Sequence, residues 1–117
     1  MGTRISLCMI VKNEAHNLQR CLASVAGAVD ETIVIDTGST DATCEIARAF
    51  GARVRTFPWN DNFSDARNAS LELATGDWVL VLDADEALAE ESKEVLRRLT
   101  AVDGVEGYFI KIINYNY

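Results

Sequence analysis

The alternation of apolar runs with helical segments constrains the fold of this chain most. Ile5 to Val11 is an apolar run, and Leu18, Cys21, Leu22 and Val25 follow it at spacings of three and four residues. A run that is apolar on both faces predicts a strand covered on both sides, and the spacing that follows predicts a helix with one buried face. The chain therefore begins with a strand and then a helix.

The same pair of patterns recurs along the chain. Further strands are predicted at Thr32 to Ile35, Arg53 to Thr56, Trp78 to Leu82 and Tyr108 to Ile113. Each of the helices between these strands is expected to bury one face. The buried faces are Ala42, Ile46, Ala49 and Phe50 in the second helix, Ala66, Ala69, Ser70 and Leu73 in the third, and Val95, Leu96 and Leu99 in the last. Strands that alternate with helices predict a three-layer α/β fold with a mainly parallel, doubly wound, Rossmann-like sheet and right-handed crossovers. No linker or repeat interrupts residues 1–117, so we expect one domain.

Turn residues predict where the helices begin and end. Gly38 to Asp41 offer caps for the second helix, and Gly51 should stop it. Asn60 to Asn62 can cap the third helix, which Gly76 should end in a left-handed conformation. The run Trp78 to Leu82 then predicts a central buried strand.

Composition excludes several classes of function. Eleven basic and eighteen acidic residues give a net charge of −7, which repels duplex nucleic acid. The apolar run Trp78 to Leu82 is far shorter than the roughly 18 residues of a membrane helix, and the N-terminus lacks a signal-peptide layout, so we expect a cytoplasmic protein without a membrane span. Cys8, Cys21 and Cys44 are an odd number without C-x-x-C spacing, and we expect them to be core residues.

Polar residues follow the predicted strands at one edge of the sheet. Open α/β sheets bind ligands outside the carboxyl ends of their strands, which makes that edge the expected site. The segments that reach it are Val11 to Glu14, Asp36 to Ser39, Phe57 to Asn62 with Arg67 and Asn68 beyond, and Asp83 to Glu86.

Two interpretations fit the carboxylates of Asp83 and Asp85. If the strand continues in extended geometry, they point the same way and can share one Mg²⁺ or Mn²⁺ ion with substrate phosphates. Alternatively they lie in a solvated turn and cap the next helix, together with Glu86. An acidic protein needs a bridging cation to hold a diphosphate, which favours the metal.

Other candidates also allow two interpretations. Asp36 is either a turn acid or an acceptor for a ligand, and Arg67 is either a surface arginine or a contact to phosphate or base. Lys12 and Asn13 are similarly ambiguous. Trp59 is expected to cover the core rather than to stack on a ligand, and His16 to be solvated. Neither a G-x-G-x-x-G fingerprint nor a P-loop occurs.

Four stretches taken together resemble a known family. They are ISLCMIVKNEAHNLQRCLASV, VIDTGSTDATCEIARAFGA, FSDARN and GDWVLVLDADE, and they cover roughly residues 4 to 88. In this order they resemble glycosyltransferase family 2, which has the GT-A fold, and the DTGSTD and VKNE variants are similar to those of small bacterial members. The likeness implies an enzyme whose first half binds a nucleotide diphosphate sugar, usually a UDP sugar.

The resemblance also implies roles for single residues. Ile10 to Lys12 match the stretch along the uridine, Asp36 the acid near the base, and Arg67 an arginine near the nucleotide or its phosphates. Asp83 and Asp85 match the D-x-D motif that reaches the ribose and the diphosphate-bound Mg²⁺ or Mn²⁺. Nucleotide-sugar contacts are thus implied for Ile10, Val11, Lys12, Glu14, Asp36, Thr37, Gly38, Arg67, Asp83, Ala84 and Asp85. Glu86 extends the motif without an assigned role.

The implied reaction is inverting transfer of a sugar to an unknown acceptor. The family's general base lies well downstream of D-x-D, so we expect it beyond Tyr117 and expect only the N-terminal half of the fold here. An alternative is a binding module without turnover, completed by another chain. A third reading is a phosphatase of the haloacid dehalogenase kind, although such enzymes place D-x-D after their first strand. An open sheet edge at Tyr108 to Ile113 would allow pairing with a second copy.

Overall fold

A computed structural model describes residues 4–99 and 112–114 of the chain. The elements, in chain order, are β1 (Ile5–Val11), α1 (Ala15–Ser24), β2 (Glu31–Asp36), α2 (Thr43–Ala49), β3 (Arg53–Thr56), α3 (Phe63–Leu73), β4 (Trp78–Val81), β5 (Glu86–Leu88), α4 (Glu90–Leu99) and β6 (Ile112–Asn114). Strands and helices alternate as predicted up to β4.

The main sheet has four parallel strands in the order β3-β2-β1-β4. β1 pairs with β2 from Ser6 opposite Glu31 to Val11 opposite Asp36, and on its other side it pairs with β4. The chain moves outward from β1 to β3 and then returns to the far side of β1, which creates a switch point between β1 and β4. The predicted mainly parallel, doubly wound sheet is confirmed.

Helices cover both faces of the sheet and complete three layers. Alternate strand residues point to opposite faces, so Cys8, Ile33 and Ile35 pack against α3. The other face of β1 packs against α1, α2 and α4. Cys8 and Cys21 are buried as predicted, and Cys44 is half-buried. Two apolar clusters, one on each face, thus hold the sheet.

The strand that begins at Trp78 has one neighbour among the described strands, whereas a central strand was predicted. Among the described residues β4 is an edge strand, and the side chains of Val79 and Val81 are 41% and 40% exposed. α3 packs on β1 and β2, so it leaves this face of β4 open. The apolar composition of the run therefore does not report its position in the sheet.

The second helix turns a different face inward from the predicted one. Thr43 and Ala47 are buried, and Ile46 packs against them in the core as predicted. The other predicted members, Ala42, Ala49 and Phe50, are exposed. Because Thr43 is tied to the loop after β1, the helix is rotated relative to the apolar pattern.

Gly51 and Gly76 are suited to their positions for different structural reasons. Gly51 has a φ of 85° and ends α2 as predicted. Gly76 was predicted to be left-handed, but it is not among the described glycines with positive φ. It passes so close to β1 that a Cβ atom would lie 2.6 Å from the Ser6 hydroxyl oxygen and 2.8 Å from the Arg4 carbonyl oxygen. Gly76 is therefore a close-approach residue.

A second, two-stranded sheet follows the main one. β5 pairs antiparallel with β6, with Glu86 opposite Asn114. The sequence did not predict β5, and the predicted strand Tyr108 to Ile113 lies largely outside the described residues. Its described part belongs to this small sheet and not to an edge of the main one. On α4, Leu96 is buried as predicted, and the side chains of Val95 and Leu99 lie outside the description. Over residues 4–99 and 112–114, no helix has the length and apolarity needed to cross a membrane.

Glu31 ties the amino-terminal edge of the sheet together. Its Oε2 accepts hydrogen bonds from the Thr75 N–H at 2.6 Å, from the Thr75 hydroxyl at 2.8 Å and from the Ser6 hydroxyl. Arg4 and Arg53 lie 3.7 and 3.8 Å from its Oε1. Burial raises the pKa of Glu31, but these hydrogen bonds and the charge of Arg4 outweigh burial and leave the pKa below its ordinary value.

We predict that Glu31 contributes to acid sensitivity. A carboxyl group whose pKa is lower in the folded state stabilises the fold above its unfolded pKa, and this stabilisation is lost as the pH falls through the folded pKa. Glu31→Gln should therefore lower the free energy of unfolding at pH 7 and flatten its decline between about pH 5 and pH 3. Urea titrations across this range measure both effects. Glu72→Gln, on the exposed side of α3, is the control and should keep the wild-type slope. Equal slopes for Glu31→Gln and wild type would contradict the prediction.

Candidate functional site

The loops after β1 and β2 are bound to each other by side-chain hydrogen bonds. Asn13 adopts a φ of 52°, and its N–H donates to the Ser39 hydroxyl oxygen at 2.8 Å. Its side-chain oxygen accepts from the Thr40 N–H at 2.7 Å. Asn tolerates a positive φ better than most residues, which suits it to this position. Asn13 is thus a structural residue that joins the two loops.

The start of α1 is also satisfied by the loop after β2. The Glu14 N–H donates to the Thr43 hydroxyl oxygen at 2.9 Å, and the Ala15 N–H donates to Asp41 Oδ2 at 3.2 Å. Asp41 Oδ1 accepts from the Thr43 N–H at 3.0 Å. Hydrogen bonds from Thr43 lower the pKa of Asp41, so it stays ionised beside the helix starts. The N-cap of α2 is Ala42, which has no side-chain cap, so the predicted N-cap within Gly38 to Asp41 is wrong, although Asp41 binds the first N–H of the helix from one residue earlier.

Asp36 is folded into its own turn. The side chain is 4% exposed, and its carboxylate accepts from the N–H groups of Gly38 at 3.3 Å and Ser39 at 3.1 Å and from the Ser39 hydroxyl. This is the turn-acid geometry that the sequence allowed. The Cys44 thiol is a further hydrogen-bond partner of this carboxylate, and burial together with the charge of Asp36 raises the pKa of Cys44.

The other candidates on these two loops differ in exposure. Thr37 donates from its N–H and its hydroxyl to the Val11 carbonyl oxygen, at 3.0 and 3.1 Å. Val11 is buried, Ile10 and Glu14 are half-buried, and Lys12 is exposed. Ile10 faces α3, and Val11 faces the opposite layer. Ile10 and Lys12 are thus accessible at this edge, whereas the side chain of Val11 is buried in the opposite layer.

Trp59 does not cover the core, contrary to the prediction. It is 45% exposed, its Nε1–H donates to Asp61 Oδ1 at 3.1 Å, and its ring meets Phe63 edge to face at 6.3 Å. The loop turns outward because Asp61 has a φ of 62° and Asn62 caps α3 by accepting from two backbone N–H groups. An aromatic pair is left at the surface beside α3.

Arg67 is held against this pair. Its guanidinium carbon lies 5.3 Å from the centre of the Phe63 ring, and the residue is half-buried. Its Nη1 is buried and has no hydrogen-bond partner in the described part of the chain. Buried polar groups are almost always satisfied by protein, water or a ligand. The Nη1 of Arg67 can therefore donate to an acceptor that binds beside it.

The D-A-D-E segment is a closed turn rather than a continuation of the strand. β4 ends at Val81, and the Glu86 N–H donates to the Asp83 carbonyl oxygen at 2.9 Å. The assumption of extended geometry for Asp83 and Asp85 is therefore wrong. The predicted solvated turn is present, but β5 separates it from α4, which begins at Glu90, so these acids do not cap that helix.

The carboxylates of the turn help to raise the pKa of a buried thiol that contacts the turn. Cys21 of α1 donates to the Asp83 carbonyl oxygen across 3.7 Å. Burial raises the pKa of Cys21 to about 12, and the charges of Glu86, Asp83 and Asp85 add to this effect, opposed by Arg20. Asp83 is exposed, Asp85 is half-buried and Ala84 is buried. The turn therefore presents concentrated negative charge at the surface.

The donor set of the turn fits a hard divalent cation. Within residues 4–99 and 112–114, no three His, Cys, Asp or Glu side chains are grouped to hold a metal by themselves. Mg²⁺ and Mn²⁺ commonly bind through one or two carboxylates and take their other ligands from phosphates and water. Asp83 and Asp85 offer carboxylate oxygens of that kind from one turn. His16 is exposed, as predicted, and is not part of this group.

The sheet topology brings most predicted residues to one edge. The turn after β4 and the loop after β1 end adjacent strands at the switch point, and Asp36 ends the next strand. D-x-D thus follows the fourth strand, which does not match the phosphatase reading. The hydrogen bonds that Asn13, Ser39, Thr43 and Glu86 make were not predicted from the sequence. Their small polar side chains within turns were the available signal.

Comparisons with known proteins agree on one family. The model of the family described as Glycosyl transferase family 2 matches residues 6–117. A TPR repeat-containing protein of Synechococcus elongatus is 56% identical over 94 residues, which are 80% of this chain and 23% of that protein. An uncharacterized glycosyltransferase of Rickettsia felis is 37% identical over 105 residues, which are 90% of this chain and 37% of that protein.

Solved structures show the same likeness. Glucosyl-3-phosphoglycerate synthase from Mycobacterium tuberculosis, in complex with Mn²⁺, UDP and glucosyl-3-phosphoglycerate, is 33% identical with a TM-score of 0.63 over 76% of this chain and 35% of that one. The same enzyme in complex with Mg²⁺ and UDP has the same identity and TM-score over 74% of this chain and 34% of that one. The chain spans about a third of the length of these relatives or less. From the family match and the shared fold, the chain belongs to glycosyltransferase family 2.

Proposed function

We propose that residues 1–117 are the donor-binding unit of a glycosyltransferase that uses a UDP sugar with Mg²⁺ or Mn²⁺. The observation that carries the proposal is the closed turn Asp83 to Glu86 at the carboxyl end of β4, next to the switch point of the sheet. Ligands of open α/β sheets bind at such switch points. The structural relative in complex with Mn²⁺ and UDP supports the choice of nucleotide and metal.

The loops after β1 and β2 would bind the nucleoside. Ile10 and Lys12 would lie along the uridine, with Thr37 and Gly38 beside it. Asp36 would accept from the N–H of the base, because it is the last residue of β2 and so lies at the carboxyl edge of the sheet. Glu14 would support the start of α1 behind this pocket.

Asp83, Asp85 and Arg67 would hold the diphosphate end. Bound metal would supply positive charge for the departing phosphate oxygens. Asp83 and Asp85 would be its protein ligands, with Ala84 placing them in the turn. Arg67 would satisfy its buried Nη1 by donating to the nucleotide, at the base or at a phosphate oxygen.

The proposed reaction is an inverting displacement. An oxygen or another nucleophile of the acceptor forms a bond to the anomeric carbon while the bond from that carbon to the diphosphate oxygen breaks. A general base takes the proton of the acceptor, and UDP leaves with the electron pair. We place this base, and the acceptor pocket, in the part of the longer relatives that these residues do not match.

Turnover can be measured separately from binding of the donor. These residues match 37% of the Rickettsia felis protein and 35% of the structural relative, so the proposal for them concerns the donor site. Release of UDP from UDP-glucose with an added acceptor measures turnover.

We predict that binding of UDP depends on a divalent metal through Asp83 and Asp85. Replacing both by Asn removes two negative charges and keeps the side-chain size, so metal-dependent affinity for UDP should fall at least roughly tenfold, or 1.4 kcal/mol. Isothermal titration of UDP with Mn²⁺ and with a chelator measures this loss. The double variant Glu45→Gln/Glu72→Gln, at two exposed helix positions, is the charge-matched control and should behave as wild type. Equal affinity in wild type with and without Mn²⁺, or an unchanged double variant at Asp83 and Asp85, would refute the metal role.

We also predict a direct contact between Arg67 and the nucleotide. Arg67→Ala should weaken UDP binding roughly tenfold both with Mn²⁺ and with a chelator, because the lost hydrogen bond does not pass through the metal. Arg67→Lys should recover only part of the affinity, since an ammonium lacks the planar fork of donors. Arg48→Ala, on the exposed side of α2, is the control. UDP titrations in which Arg67→Ala matches this control would exclude the contact.

A further inference from the structure

We propose that Glu86 is a positioning residue that holds the metal-binding turn closed and is not itself a metal ligand. The inference rests on the proposed function, since it concerns how Asp83 and Asp85 are presented to the cation. It assigns a role to the one carboxylate of the D-A-D-E segment that the family resemblance left without one.

Glu86 closes the turn with two reciprocal hydrogen bonds. Its N–H donates to the Asp83 carbonyl oxygen at 2.9 Å, and its carboxylate Oε1 accepts from the Asp83 N–H at 2.8 Å. One residue thus binds both backbone polar groups of Asp83. A hydrogen bond from an N–H to a carboxylate is stronger than one between neutral groups, so the closure resists opening.

The far end of this closure is fixed in the core. Glu86 is the first residue of β5, where Ala87 and Leu88 are buried. The Leu88 N–H donates to the Ser24 hydroxyl oxygen at 2.9 Å, and that hydroxyl donates to the Cys21 carbonyl oxygen at 2.6 Å. Hydrogen bonds to α1 therefore fix the position of β5, and β5 in turn fixes the Glu86 side chain beside the Asp83 N–H.

In this arrangement Asp83 and Asp85 have a different role from Glu86. The side-chain carboxylates of Asp83 and Asp85 make no hydrogen bond to the described residues, so they can bind an ion. Glu86 already uses Oε1 on a backbone N–H. A binding site must be held within about 0.5 Å of its working geometry, and groups behind the ligands usually do this. Glu86 does so for a turn whose first ligand, Asp83, is otherwise exposed.

The opposite role for Glu86, a third ligand or a needed charge, predicts a different response to substitution. Glu86→Gln removes the charge but keeps a side-chain oxygen that can accept from the Asp83 N–H. Glu86→Ala removes the acceptor as well. A positioning residue tolerates Gln and not Ala, whereas a ligand or a charge requirement tolerates neither.

Mn²⁺ titrations followed by electron paramagnetic resonance, with UDP at saturation, test the inference on the 117-residue chain. Glu86→Ala should weaken Mn²⁺ binding roughly 10- to 100-fold, the usual cost of losing a residue behind a metal ligand. Glu86→Gln should stay within about threefold of wild type, a small fraction of that cost. UDP affinity in the presence of a chelator should be the same in all three proteins, which a general loss of structure would not allow. Glu72→Ala is the control for loss of a distant charge.

Amide hydrogen exchange at Asp83 gives a second measurement that needs no metal. The Asp83 N–H should be protected in wild type and in Glu86→Gln, and it should exchange faster in Glu86→Ala. Wild-type Mn²⁺ affinity in Glu86→Ala, or a loss in Glu86→Gln as large as that in Glu86→Ala, overturns the inference. If wild type itself binds no Mn²⁺ with UDP, the proposed function fails, and the positioning role fails with it.

Discussion

β1 pairs in parallel with a strand on each side, and the site depends on that pairing. Its register runs from Ser6 to Val11 along β2 and from Ile5 to Cys8 along β4. Parallel strands place all their carboxyl ends at one edge, so the segments that follow β1, β2 and β4 meet there whatever their own sequence. Since the chain crosses to the far side of β1 before β4, the loop after β1 and the turn after β4 lie at a switch point, where ligands of open α/β sheets bind. The buried side chains of β1 on both faces keep this frame rigid.

At this edge some polar groups are used by the fold and others are left for a ligand. Hydrogen bonds join the segment after β1 to the segment after β2, and they are made by Asn13, Ser39, Asp41 and Thr43. These bonds account for the polar composition of both segments. Arg67 keeps a buried donor without a partner in the described residues. Taken together with the open carboxylates after β4, this division separates the scaffold from the residues that we propose bind the nucleotide and metal.

Much of this could be predicted from the sequence, because strand and helix patterns depend on local burial. The inward residues of α1 and α3 and the cap at Asn62 are where the spacing placed them. The position of β4 could not be predicted, since an apolar run does not reveal how many neighbours its strand has. The rotation of α2 escaped as well, because a hydrogen bond from Glu14 to Thr43, distant in sequence, overrides the apolar pattern.

The site shows the same limit. The spacing of Asp83 and Asp85 predicts that they are candidate ligands. Their geometry, however, comes from a turn that Glu86 closes, and apolar periodicity does not predict such a closure. Trp59 is expected to cover the core as an aromatic residue, whereas a hydrogen bond to Asp61 and the outward loop keep it at the surface. Hydrogen bonds between side chain and backbone therefore decided the features that apolar patterns could not.

Paramagnetic broadening by Mn²⁺ in the NMR spectrum, with UDP bound, tests the central claim most directly. The claim is that the carboxyl edge of the sheet holds the metal and the nucleotide. Amide signals from Asp83 to Glu86 should broaden first and those of the loop after β1 next, while Glu31 and Thr75 at the opposite edge stay sharp. Uniform broadening, or broadening centred on Glu31, would contradict the account.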